Sequence, residues 1–175
     1  WLMTSLAPSP LWVALVQSAS TLPVFLLGLP SGALADILDR RRYLMFTQFW
    51  VAAVAVLICI IVASGAMSAQ LLLVLTFANG IGLAMRMPVF AAIVPGLVPR
   101  AQLAPAIALN GVAMNASRII GPIIAGALIA SAGSVYVFAL NALLSIVAGF
   151  VILRWKHEPT VSALPGERFL GAIRV

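Results

Sequence analysis

Residues 32–64 read GALADILDRRRYLMFTQFWVAAVAVLICIIVAS. Asp36, Asp39, Arg40, Arg41 and Arg42 crowd into the first part, and no charged side chain follows from Tyr43 to Ser64. A helix needs about 20 apolar residues to cross a hydrocarbon layer of roughly 30 Å. Inside lipid every backbone N–H must find its partner within the segment, so the stretch predicts a helix. A membrane-spanning helix entered through a basic hairpin is the pattern that decides the fold.

The same pattern repeats along the chain. Apolar stretches at 11–34, 43–64, 70–87, 103–130 and 135–155 are each long enough to span. Composition agrees. Hydrophobic residues make up 63% of the 175, charged residues 8%, and mean hydropathy is +1.17. A soluble domain carries roughly 25% charged residues. The numbers exclude an ordinary soluble enzyme, a disordered chain and a nucleic-acid-binding domain. The fold class is an all-α polytopic membrane bundle.

The few charges alternate by connection. The loop with Arg40 to Arg42, the connection bounded by Arg86 and Arg100, and the tail with Arg154, Lys156, Arg168 and Arg174 are basic. Segments 4–10, 64–69 and 130–134 carry no charge. The positive-inside rule places the basic set in the cytoplasm and the uncharged set outside. The net charge of +6 then reads as orientation, not as affinity for a polyanion. Five spans that begin outside call for another span upstream, with residues 1–4 as its end. The bundle occupies 5–154, and 155–175 begin a cytoplasmic segment. Pro88, Pro95 and Pro99 mark the loop after the third span. Pro23, Pro30 and Pro122 fall within spans and permit kinks.

Cys59 is the only cysteine and His157 the only histidine. No Asp or Glu occurs between Asp39 and Glu158. A membrane-embedded enzyme needs a nucleophile with a base, paired acids or metal ligands, and the spans supply none of these sets. No cofactor or metal is called for. A transporter and a non-transporting membrane scaffold both remain compatible with the residues.

The segment from Gly32 through Asp36 to Arg40 and Arg41 resembles the loop 2–3 signature of the major facilitator superfamily, broadly G-x-x-x-D-x-x-G-R-[RK]. Ile37 and Asp39 depart from the usual basic residue and glycine. The D-R-R form is similar to the enterobactin-exporter-like branch, the transmembrane secretion effectors. Met87-Pro88 through Pro99, and Ala108-Leu-Asn110 through Gly121-Pro122, support that branch. The run Asn115-Ala-Ser117-Arg118-Ile-Ile-Gly121-Pro122-Ile-Ile-Ala125-Gly126 resembles the antiporter motif of family exporters, with Ser117 and Ala125 in place of glycines. A further family pattern, R-x-x-Q-G, is absent: Thr76 and Asn79 stand before Gly80.

The resemblance implies the N-terminal six-helix half of a bacterial plasma (inner) membrane exporter of siderophore- or drug-like molecules. The other half of the polypeptide, the lipid bilayer and the cargo are its implied partners, and nucleic acid is not one. Gly32, Asp36, Arg40 and Arg41 are the expected gating residues, with Gly32 allowing close backbone approach. Ser117, Gly121, Pro122 and Gly126 are the expected kink and packing residues. Arg118, near mid-span, must face a cavity or a partner, because Arg at a helix centre costs roughly 2.5–3.5 kcal/mol. Arg118, Asn115, Gln17 and Thr21 are the candidate pathway residues. The missing coupling acid implies that a proton site lies in the first helix or the other half, unless Asp36 serves.

Overall fold

In the computed structural model Asp39 caps the helix that follows it, its Oδ1 accepting the Arg42 N–H at 2.8 Å. Such a cap satisfies one of the four orphan donors at a helix start. The structure describes residues 2–7 and 9–155, and for Asp36 only its place in a helix. The tail with Lys156 and His157, read above as cytoplasmic, lies outside the described residues.

A short α1 (Leu2–Leu6) precedes five long helices. These are α2 (Pro10–Ile37), α3 (Arg40–Ala63), α4 (Ala69–Leu97), α5 (Leu103–Ser131) and α6 (Ser134–Arg154). All five are long and apolar enough to cross a membrane. Among the described residues there is no strand. The turns at the uncharged end use glycine where the backbone needs a positive φ. Gly65 (φ 71°) closes α3, with the Ala66 N–H on the Ile61 carbonyl and the Gly65 N–H on the Val62 carbonyl. That pairing satisfies carbonyls the helix end would otherwise leave open. Gly133 (φ 100°) plays the same part between α5 and α6.

The structure corrects one boundary with consequences for function. The third span does not stop at residue 87; α4 continues through Pro88 and Pro95 to Leu97. Pro88 has no N–H, so the Ala84 carbonyl loses its ordinary helical donor. The Ser31 hydroxyl of α2 reaches that carbonyl at 3.2 Å, sharing its hydrogen with the Gly28 carbonyl at 3.1 Å. A neighbouring helix thus supplies the missing bond, which is how membrane helices tolerate proline. The expected loop shrinks to Val98, Pro99 and a 3₁₀ turn at Arg100–Gln102. Ser31→Ala is expected to destabilise the bundle by about 1 kcal/mol, the usual worth of an interhelical polar bond in lipid. Thermal unfolding of the purified protein checks it.

Helix α2 packs along α4, and α3 packs against both α4 and α6. Lipid offers no hydrophobic drive between helices, so small residues that let backbones approach set these pairings. A Cβ on Gly80 would lie 2.9 Å from the Ser20 carbonyl and from Pro23 Cγ. On Gly82 it would lie 2.5 Å from Val51 Cγ2 and 2.9 Å from Trp50 Cδ1. Trp50 Nε1 donates to the Ala78 carbonyl at 2.7 Å across the same α3–α4 seam. On the other side of α3, Phe49 meets Phe150 edge to face at 6.5 Å and lies over Gly149. Two buried clusters result. One holds Met3, Val54, Ile58, Leu72 and Leu75; the other holds Ala35, Tyr43, Leu44, Val89 and Ile93 beside the basic hairpin. Helix α5 leans lightly on α6 and α4, and none of its residues is buried.

Candidate functional site

The basic hairpin is a clamp. Helix α2 runs to Ile37, which carries Asp36 inside its last turn. Only Leu38 and Asp39 then separate it from α3. From the first turn of α3, Arg40 Nη1 donates to the Ala92 carbonyl near the end of α4 at 3.0 Å. Arg41 Nε donates to the Ile152 carbonyl at 3.4 Å, and its Nη2 donates to the Leu153 carbonyl. Ile152 and Leu153 belong to the last turn of α6, where the dipole is negative and the Ile152 carbonyl also accepts the Trp155 N–H at 3.2 Å. Two adjacent guanidinium groups therefore bind the ends of α4 and α6 to the start of α3. A lysine could supply the charge but not the planar fork.

Gly32 does not provide the expected close approach. A Cβ built there meets nothing within 4 Å, and the tight contacts fall instead at Gly80 and Gly82. The reason is the path of α2, which presses on α4 through Ser20, Pro23 and Ser31 rather than through Gly32.

Because α4 is longer than its apolar core suggested, Arg86 lies within the helix rather than at a loop flank. It lies eleven residues before Leu97, about 16 Å along the axis at 1.5 Å per residue. Arg86 Nη1 donates to Gln48 Oε1 on α3 at 3.3 Å. Gln48, only 3% exposed, donates through Nε2 to the Ser145 carbonyl on α6 at 3.0 Å. A polar chain thus crosses three helices. Beside it lies a cavity of about 540 Å³ bounded by α3, α4, α5 and α6, with Asn110 on its far wall.

On α5, Arg118 lies between Leu103 and Ser131 close to the midpoint. It is exposed and has no hydrogen-bond partner among the described residues. Asn115 Nδ2 donates to the Gly111 carbonyl at 2.9 Å, and the Ser117 hydroxyl to the Ala113 carbonyl at 2.8 Å. Both are turned back on their own helix. Pro122 removes the ordinary donor to the Arg118 carbonyl. A Cβ on Gly121 or Gly126 would meet open space. Gln17 and Thr21 are exposed on α2, with the Thr21 hydroxyl on the Gln17 carbonyl at 3.0 Å. Among the described residues no hydrogen bond joins Gln17 or Thr21 to Asn115 or Arg118. The structure therefore assembles Arg40 and Arg41 into one arrangement and does not join the α2 candidates to those on α5 by any hydrogen bond among the described residues.

Comparison with known proteins follows the same lines. The family described as transmembrane secretion effector matches residues 1–175. The chain belongs to this family of major facilitator superfamily transporters. It is 25% identical over 171 residues to a staphyloferrin A transporter of Staphylococcus aureus (strain NCTC 8325 / PS 47), covering 97% of this chain and 43% of the relative. It is 32% identical over 134 residues to an uncharacterized MFS-type transporter, YfiS, of Bacillus subtilis (strain 168), covering 77% of this chain and 31% of the relative. The chain thus spans less than half the length of these relatives. No solved structure matches. The family and its five long apolar helices make it a multi-pass membrane protein.

Sequence reasoning missed Arg86, Gln48 and Asn110 as a group. One signal was available. The residues after Arg86, through Leu97, are as apolar as the span before it, and a family of membrane helices tolerates interior proline. Reading Pro88 as a helix end hid the arginine.

Proposed function

We propose that this chain forms the N-terminal half of a secondary active transporter that exports small organic molecules, siderophore- or drug-like, by alternating access with proton coupling. The observation that carries the reading is the clamp: Arg40 and Arg41 hold the ends of α4 and α6 against the start of α3. Helix ends held by a few polar bonds form a two-state element, closed when the bonds are made and open when they are broken. The basic end lies in the cytoplasm of a bacterial plasma membrane, in keeping with the positive-inside rule. The second six-helix half comes from the remainder of a polypeptide of the relatives' length, and the cargo path runs between the halves. A relative named for transport of staphyloferrin A supports a small-molecule cargo.

The proton site lies in the first helix or the other half unless Asp36, in the last turn of α2, serves; no Asp or Glu occurs from Arg40 to His157, and Asp39 caps α3. Flux of labelled cargo by the complete protein in reconstituted vesicles tests the reading; a protein that inserts but carries nothing down or against a proton gradient defeats it. Asp36→Asn is expected to abolish coupled flux at normal expression, and unchanged flux would remove Asp36 from the gate.

Arg118 on α5 is the proposed cargo contact, with Asn115, Gln17 and Thr21 as other polar pathway groups. Ser117, Gly121, Pro122 and Gly126 give α5 the small, bendable face that meets the other half. Arg118→Ala is expected to weaken cargo affinity roughly tenfold, the loss of one charge-assisted hydrogen bond, without loss of insertion. Cargo binding measured by titration checks it, and wild-type affinity would leave Arg118 a structural residue.

A further inference from the structure

The cavity beside Arg86 has a chemistry that the gate and the cargo path do not use. It is a half-open cavity of about 540 Å³, within the range of sites for small organic ligands. Phe90, Met114 and Val151 give it apolar walls, while Gln48, Arg86 and Asn110 bring polar groups to it. Gln48 is already committed on both sides of its amide, to Arg86 and to the Ser145 carbonyl. Arg86 has that single bond from Nη1, which leaves its other N–H groups without a partner among the described residues. The Asn110 amide likewise has none.

Among the described side chains no carboxylate meets Arg86. The stretch from Arg40 to His157 contains no Asp or Glu, and the Asp39 carboxylate is spent on the start of α3. A guanidinium about 16 Å along α4 from its end is thus left with one neutral partner beside a half-open apolar cavity. A charge held in a membrane interior takes a partner of opposite sign or a polar cavity. The group that complements this site is an anion with an apolar body. A carboxylate matches the planar guanidinium fork with two parallel hydrogen bonds.

We propose that the cavity between α3, α4, α5 and α6 binds a single-chain carboxylate amphiphile. Its carboxylate sits on Arg86 and the Asn110 amide, and its tail lies along Phe90, Met114 and Val151. The ligand neutralises Arg86 and fills the space under α5, the helix with the least packing of its own. The site lies within one helical half and does not depend on the transport reading.

Dodecanoate is the probe, with dodecanol as its uncharged counterpart, on the complete protein stripped of bound lipid in detergent. Saturable binding of dodecanoate is expected, with dodecanol weaker by roughly tenfold or more, the worth of a charge-assisted hydrogen bond. Arg86→Met is expected to bring dodecanoate down to the dodecanol level, and Arg86→Lys to keep part of the difference. A diazirine-bearing dodecanoate on the unmodified protein gives a readout that no variant can spoil. Labelling at Phe90, Met114 or Val151 supports the site. Equal binding of acid and alcohol, or labelling confined to residues outside the cavity, overturns it.

Discussion

Replacing Arg40 and Arg41 together with alanine is expected to reduce coupled transport by about tenfold or more while leaving the amount of protein in the membrane unchanged. The two side chains donate to three carbonyls on α4 and α6. Hydrogen bonds from charged groups contribute about 1.5–3 kcal/mol when buried, and about 1 kcal/mol is a fair value for half-exposed ones. Two arginines then bias the closed arrangement by about 2 kcal/mol, roughly thirty-fold in the ratio of closed to open. Without them the basic ends of α4 and α6 are no longer held to α3, and a half that does not move as one unit against its partner half is not expected to couple flux. Lysine separates this role from topology. Arg41→Lys keeps the charge that orients the chain but loses the fork that reaches two successive carbonyls. Intermediate flux is expected from that variant. Full activity in the double alanine variant would reduce the arginines to orientation signals.

Gly82→Leu is expected to prevent stable folding. The seam between α3 and α4 has no room at this position: a Cβ would stand 2.5 Å from Val51 and 2.9 Å from Trp50. Overpacking costs about 1–3 kcal/mol, and a branched side chain facing a rigid indole belongs at the upper end. Moving Trp50 aside would also break its 2.7 Å bond to the Ala78 carbonyl, about 1 kcal/mol more. The loss would show as a folded yield near zero after extraction. A paired change makes the cause specific. Gly82→Ala alone is expected to lower the unfolding temperature, and Val51→Ala added to it to restore part of the loss. Equal stability of Gly82→Leu and the wild type would mean that α3 and α4 do not pack at this seam.

Much of the architecture was legible because the forces on this chain are few. Apolar length gives a span in lipid almost without competition, and each expected stretch falls on one of the five long helices to within a residue, apart from the longer end of α4, the three residues beyond 34 in α2 and the three before 43 in α3. The D-R-R pattern was legible as electrostatics, since guanidinium groups seek helix C-termini, and Arg41 found that of α6. The end of α4 was not legible in the same way. Whether Pro88 breaks a helix depends on whether a donor from elsewhere reaches the Ala84 carbonyl, and that donor, Ser31, is 53 residues away in sequence. With the boundary wrong, Arg86 looked like one more loop charge, and its bond to Gln48 could not be foreseen. Gly32 illustrates the converse. Its motif was visible, but the close contacts of α2 depend on the crossing with α4, which the pattern along one helix does not state.

Ile93 offers the most direct measurement of the gate. It is 6% exposed, in the cluster with Ala35, Tyr43, Leu44 and Val89 beneath the clamp. With a cysteine at this position, reaction with a membrane-impermeant thiol reagent applied at the basic end reports whether the clamp is closed. Slow reaction is expected when Arg40 and Arg41 are present, and reaction roughly thirty-fold faster when both are alanine, following the shift estimated above. Equal rates in the two backgrounds would contradict a gate held by these arginines.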